Sequence, residues 1–289
     1  MSARRNFDSR YVESELQKLS SKLGRKTVVY VAGGAAMALT NLKEATKDID
    51  VVVATSDEVK SLVSGLRLLG YRDPRQSLTI KRIRMFARDI LENPDGFRWD
   101  IFEKVVANKL YLSEGMIERS QSHLSSNTLS VRLLSKEDIF LLKSVTDRER
   151  DLEDMKTVAE SSPNWKTIDN ECRWQTAHSN RTWEDDLCNR LQELKANYGI
   201  TSPIQKRICK VADEKVLEEG IKLQLRKGTN TVKDIAREIG EPESTVRKAL
   251  AGLVEKRIVS VHRSKKPHEF AMKTDPKEPI YSNDEENRN

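Results

Sequence analysis

Between Val28 and Val53 the chain reads VVYVAGGAAMALTNLKEATKDIDVVV, and no other stretch limits the possible folds as tightly. Val28, Val29, Tyr30 and Val31 form a β-branched and aromatic run that predicts a strand; Gly33 and Gly34 break it, and Ala35 to Leu39 open a helix. At such a junction backbone N–H groups point outward at the positive end of a helix dipole, and without Cβ atoms a phosphate can approach closely. Gly33 and Gly34 are therefore candidate nucleotide-binding residues, although the same pair also serves simply as a turn. Ile49 to Val53 predicts a second strand. Side chains alternate faces along a strand, so Asp48 and Asp50 project to one side roughly 6.5 Å apart. Both can reach one Mg2+ or Mn2+ ion, or a pair of them, and hard cations want such oxygens.

Asp50 lies inside an apolar strand, where an unpaired carboxylate is costly to bury, so something must compensate it. Phe97-Arg98-Trp99-Asp100-Ile101-Phe102 alternates like a strand, and Asp100 brought in from a neighbouring strand completes a cluster of three carboxylates.

Gly33-Gly34, Thr46-Lys47-Asp48-Ile49-Asp50-Val51-Val52 and Trp99-Asp100-Ile101 together resemble the nucleotidyltransferase superfamily of polymerase-β-like enzymes, with its glycine turn, Asp-x-Asp pair and later third acid. Ser135 to Lys143, followed by Arg148-Glu149-Arg150-Asp151-Leu152-Glu153-Asp154, is similar to the minimal nucleotidyltransferases that include the AbiEii-type toxins. The resemblance spans roughly residues 25 to 160 and implies an α/β nucleotidyltransferase fold, a mixed sheet flanked by helices. It also implies transfer of a nucleoside monophosphate from a nucleoside triphosphate (NTP), with Lys143 and Asp151 joining Asp48, Asp50 and Asp100 as catalytic residues. Where many relatives carry Ser or Thr after the glycines this chain has Ala35, which removes a side-chain contact to phosphate and leaves the backbone one.

Displacing pyrophosphate at the α-phosphorus requires a neutralised triphosphate and an acidified acceptor hydroxyl, and two metal ions do this well. In that scheme Asp48 and Asp50 hold the metals, while Asp100 joins the catalytic one and accepts the proton. Gly33 and Gly34 cradle the β- and γ-phosphates, and Lys143 pairs with triphosphate oxygens. Lys143 has a competing reading as a lysine at the margin of the apolar helix face of Ile139, Leu142 and Val145, reaching to water. Asp151 and Asp154 likewise have a plain reading as salt-bridge partners of Arg148 and Arg150.

At 289 residues, 33% charged and 37% hydrophobic, the chain suits a soluble protein of two domains. No apolar run has the length of a membrane span and the start MSARRNFDSR lacks a signal-peptide core, which predicts a cytoplasmic protein without membrane partners. Cys172, Cys188 and Cys209 are odd in number and lack metal-ligand spacing, so they read as reduced thiols. The expected division is a nucleotidyltransferase domain over 1–160, a helical linker subdomain with Trp165, Trp174 and Trp183 over 161–203, a third module over 204–275, and a disordered tail over 276–289.

That third module reads as a long helix to Arg226, a short helix from Thr231 closed by Gly240, a helix over 244–256, and two short strands flanking a basic loop. It looks like a winged helix-turn-helix. Residues 201–275 carry 17 Lys and Arg against 11 Asp and Glu, which equals the net +6 of the whole chain. Phosphate backbone is the natural counterpart of such a surplus. Ser244, Thr245, Arg247 and Lys248 are candidates to meet a groove, and Arg263, Lys265 and Lys266 to contact backbone, although winged helices also dock proteins.

The sequence thus predicts a metal-dependent nucleotidyltransferase acting on RNA, with tRNA the leading acceptor by resemblance to toxin relatives, and with a cognate antitoxin protein as a possible partner. A protein hydroxyl or a small molecule is the other acceptor class. The competing class is a winged-helix DNA-binding transcriptional regulator whose nucleotidyltransferase-like domain senses nucleotide without catalysis. A drug-modifying nucleotidyltransferase, active without residues 204–289, is the third.

Overall fold

The computed structural model describes residues 5–74, 86–146, 148–179, 181–228, 230–262 and 267–273, and the chain divides into two compact units, Met1–Cys209 and Lys210–Asn289. The first unit begins β1 (Phe7–Asp8), α1 (Ser9–Ser20), β2 (Thr27–Ala32), α2 (Gly33–Leu39), β3 (Ala45–Thr46), β4 (Asp48–Val53) and α3 (Ser56–Leu68). It continues through β5 (Asp89–Glu92), β6 (Arg98–Glu103), β7 (Val105–Val106), β8 (Leu110–Tyr111), α4 (Glu114–Arg119), β9 (Gln121–Ser125) and β10 (Leu129–Leu133). The helices α5 (Lys136–Ser144), α6 (Glu149–Glu160), α7 (Trp165–His178) and α8 (Trp183–Tyr198) follow, and the division between units falls within α9 (Gln205–Arg226).

Six strands build the main sheet in the order β5-β6-β4-β2-β10-β9. β4 runs parallel to β6 and β2 parallel to β10, with the remaining neighbours antiparallel, so the sheet is mixed and flanked by helices. A parallel pair needs a crossover, and α3, started by a Thr55/Glu58 capping box, supplies it between β4 and β6. α3 also packs on α1, where Gly65 permits the approach: a Cβ there would lie 2.9 Å from Leu19 Cδ1. Ile49, Val51, Val52 and Val53 of β4 are buried among Val29, Val31, Trp99 and Ile101, whereas Asp48 and Asp50 alternate with them and stay partly exposed.

α7 packs on α5, and α8 on α5 and α6, so residues 161–203 lie against the helices that carry Lys143 and Asp151. Trp165 meets Phe140 of α5 edge to face at 5.4 Å, and Trp183 is buried. The expectation of three thiols is corrected for two of them. Gly199 takes the left-handed conformation that ends α8, and past it α9 brings Cys209 to Cys188 in a disulfide with Cα atoms 4.9 Å apart. Cys172 is free and buried.

The second unit contains α10 (Val232–Ile239), α11 (Glu243–Glu255) and the antiparallel pair β11 (Val259–His262) and β12 (Glu269–Met272). Ile221, Leu225, Ile235, Val246, Leu250 and Leu253 are central to its own core. Thr231 caps α10 through Asp234 N–H, and Gly240 ends it with φ +73°, so the turn into α11 is sharp. Arg263, Lys265, Lys266 and the tail 276–289 lie outside the described residues. Among the described residues no helix is long and apolar enough to cross a membrane.

Candidate active site

β2, β4 and β6 lie side by side, and their register fixes the site. Ala32 pairs with Asp50, Asp50 with Asp100, and Asp48 with Arg98. Period-two alternation then puts Asp48, Asp50, Arg98 and Asp100 on one face of the sheet. Beyond Ala32 the chain turns through Gly33 at φ +62°, where a Cβ would lie 2.5 Å from Asp50 Oδ2. Only glycine fits there. Gly34 is less tightly enclosed, with Thr46 Oγ1 3.0 Å from where its Cβ would be.

These carboxylates line a cleft of about 160 Å3 together with Gly34, Lys43, Lys47, Lys143, Arg148, Arg150 and Asp154. Asp48, Asp50 and Asp100 occupy the sheet side; Lys43 comes from the loop after α2, Lys47 from between β3 and β4, Lys143 from α5, and Arg148 and Arg150, with Asp154, from α6 and the residue before it. Gly33 is buried behind Asp50 rather than open to the cleft.

Arg98 lies across the acids. Its Nη2 donates to Asp48 Oδ2 at 2.7 Å and to Asp100 Oδ2 at 2.8 Å, and its Nε donates to Asp100 Oδ1 at 2.5 Å. The Arg98 side chain is 1% exposed. Burial opposes its charge, but Asp100, then Asp48 and Asp50, outweigh that and hold the guanidinium above its usual range. Asp50 goes the other way: burial, then the charges of Asp48 and Asp100, push it up to about 7, against the weaker pull of Lys143 and Arg98.

On the helix side Lys143 Nζ donates to Asp151 Oδ1 at 2.5 Å and lies 2.8 Å from Asp154 Oδ2. Asp151 and Asp154 stand three residues apart on α6, hence on one face, and Lys143 closes the last turn of α5 against them. Burial would lower the Lys143 pKa, but Asp154 and Asp151 raise it instead. Burial likewise works to raise Asp151, and the Lys143 charge and hydrogen bond, with Thr146 and Arg148, bring it down to about 2. Lys43 donates to Asp154 Oδ1 at 2.6 Å.

Asp48, Asp50, Asp100, Gly34 and Lys143 therefore meet at one cleft, with Asp151 buried behind Lys143 rather than lining it. Ser244, Thr245, Arg247 and Lys248 belong to α11 of the other unit. Sequence reasoning missed Arg98, Asp154 and Lys43. Arg98 had a signal, since it precedes Asp100 by two residues in an alternating strand; Asp154 had one in its helical spacing from Asp151; Lys43 sits outside helix and strand and had none.

Asp48, Asp50 and Asp100 suit a hard divalent cation in donor type, being carboxylates side by side on one face of the sheet. Their oxygens as placed do not surround a common point, and among the described residues no group of three or more His, Cys, Asp or Glu does so. Arg98 holds oxygens of two of the three.

No curated protein matches the chain. A family model described as a nucleotidyltransferase of unknown function (DUF6036) matches residues 10–195, a span that takes in the cleft from Gly34 to Asp154. With more than half of its length matched, the chain belongs to this nucleotidyltransferase family.

Proposed function

We propose that this protein is a metal-dependent nucleotidyltransferase that moves a nucleoside monophosphate from an NTP to an acceptor hydroxyl, with RNA, and tRNA first, as the acceptor. The observation that carries the reading is the cleft itself, in which Asp48, Asp50 and Asp100 face Lys43, Lys47, Lys143, Arg148 and Arg150. Acids for a divalent cation and bases for a triphosphate are the two requirements of this chemistry.

The acceptor oxygen forms a bond to the α-phosphorus, the bond from that phosphorus to the bridging oxygen breaks, and pyrophosphate leaves. Asp48, Asp50 and Asp100 would hold Mg2+ or Mn2+, which would supply Lewis-acid charge and lower the pKa of the attacking hydroxyl. Asp100 gives both oxygens to Arg98, yet a carboxylate has about four lone-pair positions, so Asp100 can still accept the hydroxyl proton. Lys143 donates to Asp151 and forms an ion pair with Asp154, which hold its ammonium group in a fixed position from which it can donate to a phosphate oxygen. Asp151 acts through Lys143 as a positioning residue. Gly34 lets the phosphates approach the backbone beside Gly33.

We read the second unit as a winged helix-turn-helix that recruits nucleic acid. Ser244, Arg247 and Lys248 are exposed at positions i, i+3 and i+4 of α11, one face of the helix, with Thr245 at its edge. A toxin role, with a cognate antitoxin as partner, follows from the resemblance to AbiEii-type proteins.

One observation favours a second reading, a DNA-binding regulator that senses nucleotide without catalysis: Arg98 holds two of the three acids. Incubating the protein with each α-labelled NTP, Mg2+ and total RNA separates the two. The enzyme reading predicts labelled RNA with the natural chain and none with the Asp48→Ala/Asp50→Ala variant. No label on RNA, protein or small acceptor, together with sequence-specific duplex binding, would transfer the conclusion to the regulator.

A further inference from the structure

Ser144, the neighbour of Lys143, lines a second groove of about 510 Å3 together with Asn189, Arg190, Gln192, Glu193 and Asn197 of α8. Gln192 connects this groove to the disulfide: its Nε2 donates to Cys188 Sγ at 3.4 Å and to Cys209 Sγ at 3.7 Å. The two cysteines are unequal, Cys188 being buried and Cys209 partly exposed. A thiolate arriving along the groove therefore attacks the Cys209 sulfur and expels Cys188 as a thiolate, onto which the Gln192 amide already donates. Lys206, three residues before Cys209 on one face of α9, adds positive charge that favours a Cys209 thiolate in turn. A disulfide with one cysteine open to attack is of the reducible kind.

The same helix reaches the cleft. Cys188 and Arg190 stand two positions apart on α8, roughly 200° around its axis, so the disulfide holds one side of α8 and Arg190 the other. Arg190 is buried and its Nη2 donates to the Thr146 carbonyl. Thr146 Oγ1 lies 2.7 Å from Asp151 Oδ2 and 2.9 Å from the Lys143 carbonyl, and Asp151 holds the Lys143 ammonium group.

We infer that Cys188 and Cys209 form a reversible thiol–disulfide site for a low-molecular-weight thiol, and that its oxidised form braces α8 so that Arg190, through Thr146 and Asp151, keeps Lys143 in place. The redox site stands on its own, while its effect on triphosphate binding rests on the nucleotidyltransferase reading of the cleft. Two thiols are consumed. The first forms a mixed disulfide with Cys209 and frees Cys188; the second attacks the small-molecule sulfur of that mixed disulfide, leaves as the small-molecule disulfide and frees Cys209, so that two electrons and two protons pass to the cysteines. Arg207 pairs with Asp169 of α7, so opening the disulfide loosens α8 without detaching the start of α9. Arg190 is a positioning residue.

The test follows the full-length protein through mixtures of reduced and oxidised glutathione, with acid quenching, alkylation and mass spectrometry to count thiols, and measures the Kd of α,β-methylene-ATP with Mg2+ for the oxidised and reduced forms. The expected count rises within these mixtures from one thiol, Cys172, to three, and the reduced form binds the analogue about tenfold more weakly. Cys209→Ser binds weakly in every mixture. Arg190→Gln also binds weakly and without a redox response, which Arg190→Lys, still able to donate to the Thr146 carbonyl, restores. A pair that opens only in denaturant, or that does not form in oxidised glutathione, overturns the site. Equal Kd values in the two forms, or an Arg190→Gln protein that still responds, overturn the coupling. If a variant does not fold, the two curves of the natural chain decide. No binding of the analogue in either form removes the nucleotidyltransferase reading, and the thiol count then decides the redox site alone.

Discussion

On the sheet side of the cleft three carboxylates lie together and one guanidinium bridges two of them, whereas on the helix side Lys143 sits between two aspartates that each have a further cation or hydroxyl. The helix side is balanced by folding alone: Asp151 is held down to about 2 and Lys143 is held charged. The sheet side is left with surplus negative charge, and Asp50, pushed up to about 7, registers it. A fold gains nothing by leaving a carboxylate in that state, and the cation binding proposed for this site would relieve it.

If that contrast is right, breaking the balanced side damages the fold and relieving the surplus side improves it. The largest effect on stability is expected for Lys143→Met, which leaves Asp151 and Asp154 buried without their shared cation. Removing one partner of a buried pair costs about 3 kcal/mol, a fall in Tm on the order of 10 °C for a unit of this size. A thermal melt unchanged by this substitution would show that the two aspartates do not depend on Lys143.

The pH dependence sharpens the comparison because the two sides have opposite signs. Asp50 has a folded pKa of about 7, above the roughly 3.9 of an unfolded aspartate, so the native state holds its proton longer and stability falls as pH rises between those values. Without metal, Asp50→Asn should stabilise by about 2 kcal/mol at pH 8 and make no difference near pH 4. Asp151 has a folded pKa of about 2, below the unfolded value, so its contribution is present above about pH 4 and is lost as pH falls toward 2. Asp151→Asn should therefore destabilise by about 2 kcal/mol at neutral pH, with the gap narrowing in acid. Urea midpoints of both variants between pH 8 and pH 3 check the two slopes, and slopes of the same sign would erase the contrast.

The smallest stability effect belongs to the second unit. Arg247→Ala and Lys248→Ala on the exposed face of α11 should change stability by less than about 0.5 kcal/mol. Each should lower the salt dependence of RNA binding by about one unit of slope if it meets phosphate. Affinities measured across a salt series give that slope, and unchanged slopes would remove the residue from the interface.

The legibility of the two sides differed for a physical reason. Asp48, Asp50 and Asp100 announce themselves because a strand's period of two is short and an acid in an apolar run is conspicuous. Arg98 obeys the same period, and only the parallel register of β4 and β6 shows that it meets Asp48 as well as Asp100. Lys143 and Asp151 came from family resemblance, while the reason they belong together, α5 and α6 packed so that one lysine enters between Asp151 and Asp154, is tertiary. Lys43 reaches Asp154 across 111 positions of sequence, a pairing that no local pattern encodes. The Cys188 and Cys209 disulfide depends in the same way on how the chain returns after Gly199.

The central claim is that the surplus on the sheet side serves nucleotidyl transfer, and the position of a label within the triphosphate tests it most directly. With total RNA, Mg2+ and NTP labelled at either the α- or the γ-phosphate, the account predicts that the α-label moves onto the acceptor while the γ-label leaves in pyrophosphate. Transfer of the γ-label to the acceptor, or its release as inorganic phosphate with no α-label transferred, would contradict it.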